Sequence, residues 1–278
     1  MSYFYFQNKI HGEPTTLEPN SLHTRFGAGF FTTLLYNTKT LCHLELHLER
    51  LFKSLEHFSI SYQVVNFGSI IQELLERNQL KDRLARVNIF YGIYSFSKES
   101  TPLLCVAEFL PNSTPQCLSI YPNPHETFMS IHKSMSYFPY LLAKKHAQEH
   151  GFCDSILTNT KTEILETSTA SLLFYKEGKF YTPKNEYILP STALKLFKQQ
   201  TPVTEITITP KDLPSFQCAY TLNSLHGMQA VQGINKCNFQ LDIETCQKAN
   251  TLILKQSPAS HTCAAPFPED PQAIQQTP

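Results

Sequence analysis

The sequence has no excess of charge of either sign, because 23 Lys and Arg residues balance 23 Asp and Glu residues. Proteins that bind nucleic acid or anionic membranes through a basic surface usually carry such an excess, so neither partner is expected. No apolar run approaches the roughly 20 residues that a membrane helix needs. The first residues also lack the basic start and long apolar stretch of a signal peptide, which favours a cytoplasmic protein.

Residues with specialised backbone or metal chemistry are also few. Nine glycines leave little room for glycine-rich phosphate loops. The eight cysteines form no Cys-x-x-Cys pair, and their scattered spacing predicts free thiols in a reducing compartment, not disulfides or a structural zinc site. His43 and His47 are four residues apart, but they lie in a leucine-striped segment, so no metal site is predicted there.

The composition is that of a folded protein with a sizeable core. Hydrophobic residues make up 41% and charged residues 17% of 278 residues, which suffice for one large or two ordinary domains. Strand-like and helix-like segments are mixed, with a proline-rich stretch near the middle. We therefore predict an α/β (α+β) fold with an N-terminal α/β domain at 1–115, a linker region at 116–128, a C-terminal domain at 129–256 and a disordered tail at 257–278.

Hydrophobic periodicity predicts the main elements. Leu44, Leu48, Leu51 and Leu55 recur at steps of four, three and four, which is typical of one face of an amphipathic helix. Further helices are predicted over 69–78, 140–150 and 192–199. Apolar or alternating segments predict strands at 3–7, 30–36, 87–93, 103–110, 117–121, 155–159, 171–175, 179–181, 203–209 and 219–223.

Three charged residues are candidates for chemistry. Lys133 follows the linker region and precedes a predicted helix, Glu166 lies 33 residues later (166 − 133), and Arg50 lies in the leucine-striped helix. Taken singly, a lysine, glutamate or arginine is most often a solvated surface residue. Their order along the chain, together with the segments around them, makes a shared site a specific hypothesis.

Eight short segments follow one another in a distinctive order over about residues 3–235. They are Arg25–Thr33, Leu46–Leu51, Ala85–Gly92, Lys133–Tyr137, Glu166–Leu173, Gly178–Pro183, Leu189–Thr192 and Thr221–Val231. In this order they resemble the motifs of class IV pyridoxal-phosphate enzymes, such as Phe-Gly-Asp-Gly-x-Phe-Glu/Thr-Thr, His-x-x-Arg-Leu and Lys-x-x-Asn-Tyr. The last segment resembles the Asn-Ser-Leu-x-Gly-x-x-Pro-Val ending of 4-amino-4-deoxychorismate lyases.

The resemblance implies a two-domain fold-type IV enzyme with a smaller N-terminal domain, a larger C-terminal domain containing a pseudo-barrel, and pyridoxal 5'-phosphate as cofactor. Lys133 matches the catalytic lysine that holds the cofactor covalently and shuttles a proton. Glu166 matches the carboxylate that keeps the ring nitrogen protonated. Arg50 matches a guanidinium that binds the phosphate, and Ser224 matches a hydroxyl donor.

The same resemblance implies further contacts. Tyr137 matches a tyrosine that hydrogen-bonds the phenolic oxygen of the cofactor, and the amides of Thr192 and Ala193 lie at a predicted helix start, where anions bind. Asn223 belongs to the same group of cofactor contacts. Residues expected to line the substrate site are Thr32, Thr33 and Arg86.

The segments depart from the family pattern at several positions. Ala28 replaces an aspartate, Leu173 a phenylalanine and Ala230 a proline. Further replacements are Ser136 and Ser171 for asparagine, Ser191 for glycine and Ala193 for threonine. None of these changes removes the lysine, the glutamate or the arginine.

Three functions are consistent with these residues. The first is a lyase that converts 4-amino-4-deoxychorismate to 4-aminobenzoate and pyruvate in folate synthesis; Thr32, where transaminases commonly have glutamate, and the triplet 223–225 favour it. The second is a branched-chain or D-amino-acid aminotransferase with the same Lys133, Glu166 and Arg50. The third is a binding protein that has kept the fold and lost catalysis. The resemblance also implies a homodimer acting on a small molecule.

Overall fold

Two β-sheets with flanking helices make up the protein in a computed structural model that describes residues 2–112 and 114–254. The mixed α/β class predicted from the sequence is confirmed. The tail predicted as disordered, 257–278, lies outside the described residues. None of the described helices combines the length and the apolar character needed to cross a membrane.

The first sheet has five antiparallel strands in the order β2-β1-β5-β4-β3. They are β1 (Phe4–Phe6), β2 (Lys9–His11), β3 (Gly29–Asn37), β4 (Leu84–Gly92) and β5 (Pro102–Glu108). In the long β3–β4 pair, Thr33 lies opposite Asn88 and Thr32 opposite Ile89. Because successive side chains of a strand point to opposite faces, Thr32 and Thr33 face different surroundings.

Three helices belong to this half of the chain, namely α1 (Leu22–Phe26), α2 (Leu44–His57) and α3 (Phe67–Arg77). The leucine stripe of α2 packs on one face of the sheet, where Leu51 and Leu55 are buried. The buried face of α3 joins the same apolar core. The helix predicted from the leucine periodicity is therefore present, and its packing explains that periodicity.

The second half contains the remaining elements. They are β6 (Gln116–Ile120), a short 3-10 helix (Phe128–Ile131), α4 (Phe138–Glu149), β7 (Asp154–Thr158), β8 (Ile164–Thr167), β9 (Ser171–Lys176), β10 (Lys179–Pro183), α5 (Thr192–Gln200), β11 (Val203–Ile206), a second 3-10 helix (Leu213–Ser215), β12 (Cys218–Asn223), β13 (Gly227–Ile234), β14 (Cys237–Asn238) and α6 (Ile243–Ile253).

The strands of the second half form a mixed sheet that curls back on itself. Its order is β11-β10-β9-β12-β13-β6-β7-β8, and β14 pairs with β13. The amide of Ile164, at the start of β8, donates to the carbonyl of Ile208, just beyond β11, at 2.7 Å. The two ends of the strand order therefore meet, and the curled sheet forms a half-barrel around an apolar core. Helices α5 and α6 pack in a second apolar cluster with β9, β12 and β13.

The two halves are joined by side chains that reach carbonyl oxygens across the boundary. Asn37 Nδ2 donates to the Leu254 carbonyl at 3.0 Å, and His43 Nε2 hydrogen-bonds the Leu252 carbonyl at 2.9 Å. These contacts dock the end of α6 beside the start of α2, so the two sheets keep a defined relative position around the space between them.

The elements β2, β8, β13, β14, α1, α6 and the two 3-10 helices were not predicted from the sequence, and neither were the partners of β6. Strand β6 lies inside the segment predicted as a linker, and it pairs in parallel with both β13 and β7. Strand β8 has only four residues between polar turns. Strand β13 contains two glycines, which have low strand propensity. The buried face of α6 is built partly from small residues, which weakens its hydrophobic period.

Candidate active site

A cavity of about 970 Å³ lies between the two sheets. Both halves of the chain contribute to its walls. The residues predicted for the site that line it are Lys133, Glu166, Arg50, Tyr137, Thr33, Arg86, Thr192, Asn223 and Ser224. Thr32 and Ala193 do not line it. Residues separated by more than a hundred positions are thus brought to one concave space, which is the default location for a binding or catalytic site.

Lys133 is held against the first sheet by backbone hydrogen bonds. The Phe31 amide donates to the Lys133 carbonyl and the Met135 amide donates to the Gly29 carbonyl, both at 2.9 Å. Gly29 has a φ of 149°, and a Cβ at this position would collide with the carbonyl oxygen of Tyr91. Gly29 therefore permits the close approach of the two backbone segments that positions Lys133.

The Lys133 amine lies in an environment that favours its neutral form. Its Nζ is 4.7 Å from the centroid of the Phe31 ring and 5.1 Å from that of the Tyr137 ring. Burial and the charge of Arg50 lower the pKa of Lys133 to about 8, although the Glu166 carboxylate opposes this change. A useful fraction of the amine is therefore unprotonated near neutral pH, as a nucleophile or base requires.

Glu166 lies on β8 with its side chain in the cavity and 5% of the residue exposed. The Leu189 amide donates to its Oε1 at 3.4 Å. Burial raises the pKa of Glu166 to about 8, although the Leu189 amide, Lys133 and Arg50 each act to lower it. A cationic ring nitrogen beside this carboxyl group would favour its ionised form, because opposite charges stabilise each other strongly in a desolvated site.

Arg50 projects from α2 toward the start of α5. Its Nη1 donates to the Pro190 carbonyl at 3.1 Å and its Nη2 donates to Thr32 Oγ1 at 3.3 Å. Burial lowers the pKa of Arg50 to about 10, so the guanidinium stays charged at neutral pH. Among the described residues it forms no ion pair. The first amides of α5, from Thr192 onward, lack acceptors within the helix, so they and Arg50 together favour an anion.

Tyr137 precedes α4 and forms part of the cavity wall. Its hydroxyl donates to the Ser168 carbonyl at 2.7 Å, and its ring stacks on Tyr140 with centroids 4.6 Å apart. Burial and the nearby Glu166 raise the pKa of Tyr137, so the phenol keeps its proton. In this structure that proton is donated to the Ser168 carbonyl, and the phenol oxygen can accept a further hydrogen bond.

The turn at 224–226 is set by side chains on both sides of it. Asn223 Oδ1 accepts from the amides of Leu225 at 3.0 Å and His226 at 2.8 Å, which turns the chain and places Ser224 on the cavity wall. Gly227 follows with a φ of 70°, and a Cβ there would collide with Asn250 Oδ1. Helix α6 thus supports this part of the site from behind.

A buried carboxylate organises the turn between β8 and β9. Asp154, which is 4% exposed, accepts from the hydroxyls of Thr167 at 3.0 Å, Thr169 at 2.7 Å and Ser168, and from the Ser155 amide at 2.8 Å. The turn directly follows Glu166 in the chain. Asp154 therefore fixes the backbone that carries Glu166 and the Ser168 carbonyl that orients Tyr137.

We expect Asp154→Asn to lower the free energy of unfolding by about 2 kcal/mol, since several hydrogen bonds to one buried charged acceptor are weakened. Chemical denaturation of the variant and the wild type measures this difference. Asp82→Asn, the same change at an exposed turn residue, is the matched control and should alter stability by less than about 0.5 kcal/mol. Equal stabilities of the Asp154 variant and the wild type would contradict the structural role.

Several cavity residues were not identified from the sequence. They include Phe31, Asn88, His125, Tyr140, Lys144 and His226. Asn88 had a recognisable signal in the sequence, because it alternates with Arg86 on β4. In the structure its Nδ2 donates to Thr33 Oγ1 across the strand pair at 2.9 Å. Phe31 also had a signal, because it occupies the second phenylalanine of the first motif. The remaining four lie outside the positions emphasised by the motifs, and only the packing of the two sheets brings them to the cavity.

The residues in the cavity fit pyridoxal phosphate. A lysine amine with a lowered pKa can bind its aldehyde, and a buried carboxyl group can face its ring nitrogen. A guanidinium without a counter-ion among the described residues, beside the start of a helix, suits its phosphate. The set therefore supplies one complementary group for each reactive part of the cofactor.

Comparisons with known proteins agree with this reading. The sequence model of the family described as "Amino-transferase class IV" matches residues 29–234. A "Probable branched-chain-amino-acid aminotransferase" of Rickettsia bellii is 28% identical over 181 residues, which cover 59% of this chain and 61% of that protein. An "Aminodeoxychorismate lyase" of Vibrio harveyi is 24% identical over 262 residues, which cover 84% of this chain and 93% of that protein.

Solved structures show the same fold. A branched-chain aminotransferase from Thermoproteus uzoniensis aligns with a TM-score of 0.79 at 15% identity, covering 90% of this chain and 93% of the other. A structure from Legionella pneumophila, described as a "Putative 4-amino-4-deoxychorismate lyase", aligns with a TM-score of 0.75 at 21% identity, covering 87% and 96%. Identities this low establish the fold and leave the reaction to be argued from the site.

Proposed function

The chain belongs to the class IV aminotransferase family, and from this premise we propose that it is a pyridoxal-phosphate-dependent lyase acting on 4-amino-4-deoxychorismate. The cofactor, when bound, supplies an electron-accepting ring next to the substrate's amino group. Lys133 would hold it covalently, Glu166 would face its ring nitrogen, and Arg50 with the start of α5 would bind its phosphate. The products would be 4-aminobenzoate and pyruvate.

Each of three cavity residues would have a different role in the reaction, set by its charge and protonation state. With its amine free, Lys133 Nζ would remove the proton from the ring carbon that carries the substrate's amino group. The carbon–oxygen bond on the adjacent ring carbon would then break, which makes the ring aromatic, and the departing enolate would take up a proton to become pyruvate. The Glu166 carboxylate would stabilise positive charge on the cofactor side of the reacting centre. To donate to a cofactor oxygen, the Tyr137 hydroxyl would exchange the Ser168 carbonyl for that oxygen. Its ring, stacked on Tyr140, would restrict the space beside the lysine.

The observation that carries the choice of a lyase is the polar wall that the first sheet presents to Lys133. Thr33, Asn88 and Arg86 line it, and Arg86 is exposed and forms no ion pair within the described part of the chain. The proposed substrate carries two carboxylates, which suit a free guanidinium. A branched aliphatic side chain would instead offer the Arg86 guanidinium no anionic partner. The lyase from Vibrio also aligns over nearly its whole length.

An aminotransferase is the second candidate. The relative from Rickettsia bellii supports it, although the aligned region covers only 61% of that protein. Lys133, Glu166 and Arg50 would act alike in both reactions, so the difference lies in the walls of the cavity. The third possibility, a binding protein without activity, is disfavoured because a fold alone requires neither a buried Glu166 nor a lysine with a lowered pKa.

A product assay tests the proposal. The purified protein with pyridoxal phosphate is mixed with 4-amino-4-deoxychorismate, generated in place by its synthase, and 4-aminobenzoate is followed by fluorescence. Product that depends on Lys133 supports the lyase. If no product forms and amino groups are instead transferred from amino acids to 2-oxo acids, the aminotransferase replaces it. Absence of both reactions, with no bound cofactor, would leave only the binding protein.

The pH dependence of cofactor attachment follows from the lowered pKa of Lys133. Only the neutral amine attacks an aldehyde, so the attachment rate in cofactor-free protein should rise from pH 6 to pH 9 with a midpoint near 8. Stopped-flow absorbance after mixing with pyridoxal phosphate measures this rate. The Glu166→Gln variant should keep the rise, which assigns it to the lysine. A midpoint above 10, the range of an ordinary lysine, would disprove the assignment.

A homodimer is the proposed assembly. Helix α4 exposes Phe138, Leu141 and Leu142, which lie on one face at spacings of three and four residues, and Phe128 is exposed on the preceding 3-10 helix. Exposed apolar residues grouped beside a cavity are typical of an interface. A second copy of the chain is the partner that the family resemblance implies, and the molar mass from light scattering tests this.

A further inference from the structure

Two buried residues lie directly behind Arg50. Thr32 is 0% exposed and His47 is 1% exposed, and neither lines the cavity. Thr32 Oγ1 hydrogen-bonds His47 Nδ1 at 2.8 Å, and the same oxygen accepts from Arg50 Nη2 at 3.3 Å. A continuous chain of hydrogen bonds therefore runs from the guanidinium through the threonine hydroxyl to the imidazole.

The direction of this chain follows from the chemistry of its ends. A guanidinium only donates hydrogen bonds, so Thr32 Oγ1 accepts from Arg50. The hydroxyl proton is then free to be donated to His47 Nδ1, provided that the imidazole is neutral. Burial, followed by the charges of Arg50, His43 and Lys133, lowers the pKa of His47 well below its usual value, so the ring is neutral at working pH. His47 thus acts as an acceptor.

Within residues 2–112 and 114–254, the geometry leaves the rest of the guanidinium free for an anion. Nη1 is directed to the Pro190 carbonyl, immediately before the start of α5, and Nη2 to Thr32. Both acceptors are neutral, so they orient Arg50 without cancelling its charge.

We propose that Thr32 and His47 are positioning residues that hold the Arg50 guanidinium toward the phosphate of the cofactor. This inference rests on the proposed cofactor site. It assigns Thr32 a place behind Arg50, while its neighbour Thr33 faces the cavity. It also accounts for the histidine of the segment 46–51, because His47 and Arg50 are three residues apart and lie on the same side of α2.

The test compares cofactors with and without the phosphate. Equilibrium dialysis measures the dissociation constants of pyridoxal phosphate and of pyridoxal for the wild type and for Thr32→Val, which keeps the shape and removes the hydroxyl. We expect the constant for pyridoxal phosphate to rise about tenfold or more, as for a lost hydrogen bond to a charged group, and that for pyridoxal to change less than twofold. His47→Leu should behave like Thr32→Val.

Conservative variants and a buried control separate positioning from general loss of structure. Thr32→Ser and His47→Asn keep an acceptor and a donor at similar places, and they should restore most of the preference for the phosphate. Thr182→Val removes another buried hydroxyl, which donates to the Leu172 carbonyl at 2.8 Å, and should leave the preference unchanged. Thermal unfolding of each variant shows whether it is folded.

The outcomes distinguish this inference from the proposed function. A wild type that prefers pyridoxal phosphate to pyridoxal, with the same preference in Thr32→Val and His47→Leu, would overturn the positioning role alone. Parallel weakening of both compounds would do the same, because it indicates a structural defect. A wild type that binds neither compound would refute the cofactor site and the inference that rests on it.

Discussion

Lys133→Ala is expected to abolish turnover and the visible absorbance of lysine-bound cofactor, while the protein stays folded. The amine is both the covalent anchor and the proposed base, and loss of a general base alone costs about 10²–10⁴ in rate. Turnover in the product assay and the absorbance spectrum after addition of pyridoxal phosphate measure the two effects. A variant with wild-type turnover would refute the assignment of the active site.

The structure offers a matched control for this experiment in a second lysine of the same cavity. Lys144 lines it as well, but its Nζ donates to the Cys153 carbonyl at 2.5 Å and lies 3.8 Å from Asp154 Oδ2. Borohydride reduction followed by peptide mapping should locate the cofactor on Lys133 and not on Lys144. Cofactor found on Lys144 would move the anchor to the other side of the cavity.

Removal of the Lys133 charge should also affect stability in a defined direction. The pKa of Lys133 is lowered to about 8 in the folded chain, so the folded state disfavours the protonated amine. Above about pH 10.5 the amine is neutral in the folded and the unfolded chain, so it costs no stability. As the pH falls from there through 8, the unfolded chain binds the proton more readily than the folded chain, and this stability is lost. In cofactor-free protein, Lys133→Met should therefore raise the thermal midpoint more at pH 7 than at pH 10.

Glu166→Gln is expected to lower turnover by about 10²–10³ while the cofactor remains attached to Lys133. The amide has the shape of the carboxyl group, but it cannot carry the negative charge that stabilises a protonated ring nitrogen. Turnover and cofactor absorbance are measured as for Lys133. Undiminished turnover would show that the carboxylate does not have this role.

The matched control for Glu166 lies three residues earlier in the chain. The Glu163 carboxylate accepts hydrogen bonds from Asn159 and Asn185 and does not line the cavity that contains Lys133. Glu163→Gln should therefore retain most of the turnover. A second measurement uses cofactor-free protein. Below about pH 4.5 the carboxyl group of Glu166 is protonated in the folded and the unfolded chain, so its burial costs no charge. As the pH rises from there through 8, the unfolded chain releases the proton more readily than the folded chain, and this stability is lost. The Gln variant should therefore gain stability relative to the wild type between pH 6 and pH 9.

The sequence indicated much of the fold because hydrophobic periodicity reports burial locally. The helix with the leucine stripe and most of the strands are present where the pattern predicted them. Strand β8, which carries Glu166, was not predicted, since four residues provide too short a pattern. Glu166 was still identified, because its spacing from Lys133 and its flanking segment resemble the family motif.

The two threonines in the middle of β3 have different positions relative to the cavity. Both were expected to line the substrate site, and Thr33 lines the cavity, whereas Thr32 contacts Arg50 and His47 behind it. Strand alternation predicts that they face opposite sides. The sequence does not reveal which side holds the cavity, because that depends on where the second sheet packs.

The candidate site residues could be identified from the sequence, because a lysine, a carboxylate and an arginine have the same donor, acceptor and charge properties wherever they lie. Their pKa values were not readable, because burial and neighbouring charges set them. The lowered pKa of Lys133, the raised pKa of Glu166 and the contact of Thr32 with Arg50 arise only when the two halves of the chain pack together and bury these side chains. Local pattern therefore specified the elements and the family, whereas long-range packing determined the electrostatics of the site.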